Sequence, residues 1–199
     1  MFTIGITGGT GSGKTAALTV AKTLGALTLD CDAIYHTLLD SNDALKAEIK
    51  SHFPDVIIDD KVDRKKLGEI VFRDKSALRI LNSITHKYVV NDVKCQITQW
   101  EKQGGKFAVV DAIALIESGA DKICDITVGI IAPIDLRISR IMNRDNISRE
   151  KAELRVNAQQ SDDFYINNCD YILKNLHSSL ADFEEECRAW FTLIRLKKR

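Results

Sequence analysis

The chain has 199 residues, of which 45% are hydrophobic, enough for one domain of ordinary size with a real core and with room for a smaller subdomain. Twenty-eight basic residues balance twenty-eight acidic ones, which excludes an overall field drawing the protein to nucleic acid or to an anionic membrane; any polyanion must be met by a local cluster. The five cysteines (Cys31, Cys95, Cys124, Cys169, Cys187) lack metal-ligand spacing, no long apolar run occurs and no signal-peptide order opens the chain, so the sequence predicts buried reduced thiols in an unexported, cytoplasmic protein.

Phe2, Ile4 and Ile6 alternate as a strand, and the glycines of I-G-I-T-G-G-T-G-S-G-K-T (residues 4–15) follow at once. Gly8, Gly13, Lys14 and Thr15 fit G-x-x-x-x-G-K-S/T, the P-loop. In that pattern glycine-rich backbone N–H groups cradle phosphates, the lysine reaches the terminal ones and the hydroxyl holds Mg²⁺. Backbone that must approach a pyrophosphate closely cannot carry Cβ atoms, which explains the glycines crowded between Gly5 and Gly13. Ala16 to Leu24 continue as a helix that ends near Gly25. The motif predicts a bound nucleoside triphosphate without separating kinases from GTPases or motor ATPases.

A second strand, A-L-T-L-D (26–30), closes on Asp30 and Asp32. If the two early strands are neighbours in a parallel sheet, Asp32 lies beyond their carboxyl ends beside the phosphate loop, where an acceptor hydroxyl would have to be oriented and deprotonated; Asp30 either competes for that role or caps the next helix. From Ala33 to Trp100 the apolar period is helical, interrupted only between His52 and Lys61, where Pro54 and a D-D-K turn stand. Such an insertion suggests a subdomain folded over the sheet edge. F-A-V-V-D (107–111) is a buried strand closed by Asp111, which has the form of a Walker B carboxylate steadying Mg²⁺. Another strand spans Asp125 to Ala132, and a short one Tyr171 to Leu173.

Arg137, Arg140 and Arg144 share one face of a predicted helix, with Ile134, Ile138, Ile141 and Met142 on another. That arginine face is either solvated or meets the triphosphate with forked hydrogen bonds. Ser148 with Glu150 reads as a new helix start carrying Arg155 and Gln159, and the basic pair of helices suggests a closing lid. The last helix carries Leu180, Phe183, Cys187, Trp190, Phe191 and Ile194 as a core stripe and ends in Lys197, Lys198 and Arg199, which suit the negative end of its dipole.

Together these motifs resemble the dephospho-CoA kinase family nearly end to end. The P-loop with its doubled glycine resembles that family's, as do L-D-C-D-A-I-Y-H (29–36), V-D-R-K-K-L-G-E-I-V-F (62–72), L-N-S-I-T-H (81–86), R-I-M-N-R-D-N-I-S-R-E-K-A-E-L-R-V-N-A-Q (140–159) and C-D-Y-I-L-K-N (169–175). The resemblance implies an α/β P-loop kinase of three layers with a parallel sheet, the core in residues 1–32 and 104–199, a helical acceptor-binding subdomain in 33–103 and an arginine-rich lid at about 142–162. It implies ATP-dependent phosphorylation of the ribose 3′-hydroxyl of dephospho-CoA. Lys14 would contact the transferring phosphate, Asp32 would be the base and Arg140 the lid arginine. Gly9 and the run Gly11, Ser12, Gly13, Lys14, Thr15 and Ala16 would wrap ATP; Arg64 and His86 would belong to the acceptor side; Thr15 and Asp111 would serve Mg²⁺. Two departures fall on the acceptor pocket: D-A-I-A-L-I-E (111–117) replaces D-x-P-L-L-F-E, with Ile113 and Ala114 at the changed positions, and Lys87 replaces the proline usual after the histidine. The nearest alternative is a kinase of another small metabolite or of a nucleotide. A GTPase is disfavoured by the lack of N/T-K-x-D and D-x-x-G segments in suitable places.

Overall fold

Alternation of apolar side chains puts β1 (Phe2–Thr7) in the middle of a five-stranded sheet in the computed structural model, which describes residues 1–197. The strand order is β2 (Leu27–Asp30), β5 (Phe107–Asp111), β1, β6 (Ile126–Ile131), β7 (Tyr171–Lys174), so β5 stands between the two early strands and they are not the neighbours that the sequence argument for Asp32 required. Pairing is parallel between β1 and β5, β1 and β6, and β6 and β7, with Ile6 opposite Asp111 and Ile4 opposite Ile126. Parallel strands share one carboxyl edge, and the loop after β1 opens there beside the end of β5.

The two faces of the sheet are read from residue parity. Ile4, Ile6, Val109, Val128 and Ile130 pack with Ala17 and Val20 of α1 (Lys14–Thr23) and with Phe183, Cys187 and Phe191 of the last helix (Leu180–Lys197). On the opposite face Gly5 lies against Leu115 and Cys124, and Gly129 against Ile172 and Tyr165. The last helix departs from its expected stripe at one point: Leu180, in its first turn, is exposed. The expected basic ending at Lys198 and Arg199 lies outside the described residues.

The sheet and its covering helices form one compact unit, Met1–Leu29 with the chain from Trp100 onward, and Asp30–Gln99 form a second. The second unit contains α2 (Cys31–Ser41), α3 (Asp43–His52), α4 (Arg64–Arg73) and most of α5 (Lys75–Lys102). Its core is built from Leu38, Leu39, Leu45, Ile49, Phe53, Val56, Leu67 and Leu81. Carboxylates and an amide start the helices: Asp30 accepts from the N–H groups of Asp32 and Ala33, Asn42 from Leu45, and Asp63 from Lys66. Asp30 is therefore the cap of α2. The interruption at 52–61 is more than a break, because β3 (Ile57–Ile58) pairs antiparallel with β4 (Lys61–Val62). Asp59 and Asp60 join them with φ of 48° and 58°, two successive left-handed residues, as a tight hairpin turn requires.

Among the described residues no disulfide joins the cysteines, but Cys95 is exposed, Cys124 and Cys169 are half-buried, and only Cys31 and Cys187 are buried as the sequence predicted. Among the described residues no helix is long and apolar enough to cross a membrane.

Candidate active site

The loop between β1 and α1 is held from behind. Every carbonyl from Gly8 to Gly13 meets a donor: Lys14 Nζ reaches Gly8 at 2.8 Å, the Ser12 amide reaches Gly9 at 3.2 Å, and Gly13 accepts from Ala16 and Ala17. The three central carbonyls are met by side chains from distant elements. Arg137 Nε donates to Thr10 at 3.0 Å, Arg140 Nη1 to Gly11 at 3.0 Å and Asn175 Nδ2 to Ser12 at 2.8 Å. The amides of Gly11, Gly13 and Thr15 make no hydrogen bond to the described protein. Outward carbonyls with uncommitted amides at a helix N-terminus make an anion-binding concavity. Gly8 closes the entry, with φ of 141° and the Ile130 carbonyl oxygen 2.2 Å from where a Cβ would stand.

The arginine helix is α6 (Ile134–Asp145), followed by α7 (Arg149–Asn157). The sequence left its charged face open between solvent and phosphate, and the structure divides it. Arg137 is 3% exposed and bonds the loop, Arg140 is half-buried against it, and Arg144 is exposed and pairs with Asp145. Ile138 and Ile141 pack with Ala152 and Val156 as expected, whereas Ile134 at the first turn is exposed. Burial pushes the Arg140 guanidinium down from its ordinary value, and its second terminal nitrogen donates to Asn175 Oδ1 and to the His177 carbonyl. Gln159 lies beyond the end of α7 rather than within it. The contributions of Asn175 and His177 escaped the sequence reading; the available signal was a polar N-x-H immediately after the last sheet strand.

Asp111 ends β5 level with Ile6, two residues before Gly8, and Thr15 is exposed in the first turn of α1. Hydroxyl and carboxylate oxygens are the hard donors that Mg²⁺ prefers. No group of three His, Cys, Asp or Glu among the described residues is placed to hold a metal, so an ion at Thr15 and Asp111 would share its coordination with nucleotide phosphates. The residues present fit Mg²⁺ in that form.

The segment after β5 is tied to the core where Thr7 Oγ1 donates to the Ile113 carbonyl at 2.9 Å. Beside it a cavity of about 230 Å³ is lined by Ile113, Glu117, Ala158, Gln159, Gln160 and Tyr165. Gln160 donates to Glu117 across it, and burial pushes the Tyr165 hydroxyl up to about 12.

In the second unit Asp32 is exposed in the first turn of α2. Arg64 begins α4 and donates to the His36 carbonyl at 3.1 Å and to Asp40 at 2.6 Å, clamping α2 to α4. His86 is half-buried on α5. Its neighbour Lys87, where proline is usual in the resembling family, pairs with Glu48 at 2.6 Å and lowers that carboxyl from its ordinary value.

Comparison with known proteins converges on one description. The family model for dephospho-CoA kinase matches residues 2–182. A dephospho-CoA kinase from Fusobacterium nucleatum subsp. nucleatum is 36% identical over 181 residues, covering 90% of this chain and 91% of that one. The solved structure of dephospho-CoA kinase from Campylobacter jejuni superposes with a TM-score of 0.70 at 30% identity, covering 99% of this chain and 98% of the other. A shikimate kinase from Acinetobacter baumannii, at 16% identity and a TM-score of 0.56, shares the fold alone.

Proposed function

The chain belongs to the dephospho-CoA kinase family, and on that premise we propose that it transfers the γ-phosphoryl group of ATP to the ribose 3′-hydroxyl of dephospho-CoA, giving coenzyme A and ADP. The observation that carries the reading is the family match from residue 2 to residue 182, which spans the loop, both aspartates and the arginine helix together.

The triphosphate lies along the loop, its oxygens taken by the amides at Gly11, Gly13 and Thr15 and by Lys14, with Gly9, Ser12 and Ala16 completing the wrap. Arg140 grips the same loop from its carbonyl side, and its positive charge adds to the field that favours charge growing on the transferring group. Asp32 orients the acceptor hydroxyl in line with the γ-phosphorus and takes its proton as the new P–O bond forms and the bond to the ADP oxygen breaks. Phosphoryl transfer has a loose transition state, so orientation contributes more than proton removal. Thr15 and Asp111 would hold Mg²⁺, which when bound neutralises charge building on the β and γ oxygens.

The unit Asp30–Gln99, with Arg64 and His86, is the acceptor-binding subdomain in this reading, and the arginine-rich stretch at about 142–162 is the lid that excludes water. In this reading the enzyme is cytoplasmic, which a role in coenzyme A synthesis supports. The test is a coupled assay with Mg-ATP and a panel of dephospho-CoA, shikimate and a nucleoside monophosphate. Turnover is expected with dephospho-CoA; transfer to another acceptor with dephospho-CoA untouched would overturn the proposal.

A further inference from the structure

One side chain meets Thr10 at both its backbone and its side chain. Gln159 Oε1 accepts from the Thr10 amide at 2.9 Å, and Gln159 Nε2 donates to Thr10 Oγ1 at 2.7 Å. The same Oε1 accepts from Arg137 Nη2 at 2.7 Å, while Arg137 Nε donates to the Thr10 carbonyl at 3.0 Å. Two donors converge on one amide atom, so only one orientation of the Gln159 amide satisfies them. Gly9 completes the arrangement, because a Cβ there would stand 2.0 Å from Arg137 Nη2.

This closed network fixes both peptide planes flanking Thr10. The Thr10 amide is turned back to Gln159 and its carbonyl to Arg137, which points the next amide, that of Gly11, the other way. Arg137 is 3% exposed and its hydrogen bonds among the described residues go to neutral oxygens, an expensive placement for a residue that only fills space.

We propose that Gln159 and Arg137 are positioning residues for phosphoryl transfer, acting together through Thr10 to hold the phosphate loop in its reactive shape before the nucleotide arrives. An amide already aimed at the oxygen that gains charge costs no reorganisation in the transition state. A loop freed to rearrange still binds nucleotide through its remaining donors, so the loss falls on turnover more than on ground-state binding. The proposal rests on the family reading only for its acceptor.

The experiment compares wild type, Gln159→Leu, Gln159→Glu and Thr10→Val for kcat, the KM of ATP, the thermal midpoint and ATP hydrolysis without acceptor. Gln159→Leu should lower kcat at least tenfold, change the ATP KM less than threefold and shift the midpoint by no more than a few degrees. Gln159→Glu should recover kcat to within about threefold of wild type, because its carboxylate still accepts from the Thr10 amide and Arg137 while the Thr10 hydroxyl reverses to donate. The losses in Gln159→Leu and Thr10→Val should be less than additive when combined. A Gln159→Leu enzyme within twofold of wild-type kcat, or a Glu variant no better than Leu, would overturn the proposal. Wild type inert towards dephospho-CoA would overturn the acceptor reading instead, and the clamp is then judged by the same ratios in acceptor-free hydrolysis.

Discussion

Arg140 Nη1 lies 3.0 Å from the Gly11 carbonyl oxygen, so the arginine that the sequence offered to phosphate grips the reverse side of the phosphate loop. Its other terminal nitrogen joins Asn175 and the His177 carbonyl, which couples the segment after β7 to the same loop. Arg140→Lys keeps the charge and loses this fork, since a single ammonium on a flexible stem cannot span three acceptors in fixed geometry. The expected result is a fall in kcat of about tenfold or more with a small change in thermal midpoint. Full activity in the lysine enzyme would show that charge alone is required.

Asp32→Asn tests the assignment of the base. The change keeps shape and most hydrogen bonding at the first turn of α2 while removing the proton acceptor. A kcat lower by about a hundredfold or more, with ATP binding by calorimetry unchanged, is expected. A pure rise in the ATP KM would move Asp32 to nucleotide binding.

Gly8→Ala tests the close approach at the loop entry. The new methyl would face the Ile130 carbonyl oxygen at 2.2 Å, a backbone atom of a central strand, at a φ of 141° that side chains rarely adopt. The strand carbonyl cannot yield cheaply, so the variant should lose roughly 2–4 kcal/mol of stability by denaturant titration, together with its ATP affinity. A stability within about 0.5 kcal/mol of wild type would mean that the loop opens away from β6 without strain.

Much of this arrangement is written locally and was legible. The strand, glycine loop and helix at 2–23 follow one another in sequence, and β5 and β6 are buried runs made mostly of apolar residues. What escaped was carried by contacts between distant residues. Arg137, spaced three residues from Arg140, has the pattern of a solvated face, and its burial depends on Thr10 and Gln159, 127 and 22 residues away. Asn175 meets Ser12 across 163 residues. At Asp59 and Asp60 the turn was legible in D-D-K but the strands beside it were not: two-residue strands carry too little alternation to distinguish them from a loop.

Asp145 gives the acid side of the stability curve a specific shape. It receives Arg144 through Nε at 2.7 Å and Nη2 at 3.0 Å, and Arg155 of α7 through Nη1. The hydrogen bonds from Arg144, aided by Arg155, hold its carboxyl down at about 2. An unfolded aspartate titrates near 3.9, so the folded value is the lower one and the unfolded state binds the proton first as pH falls. The contribution is therefore fully present above about pH 4 and is lost as pH falls from about 4 through about 2. Asp145→Asn should melt below wild type at pH 6, with the gap shrinking through that window and closing near pH 2. High salt should narrow the gap at pH 6, because Arg144 and Arg155 are both more than half exposed. Thermal midpoints of the two proteins at half-unit steps from pH 6 to pH 2 decide the matter, and a gap that stays constant would exclude the carboxylate as the link between α6 and α7.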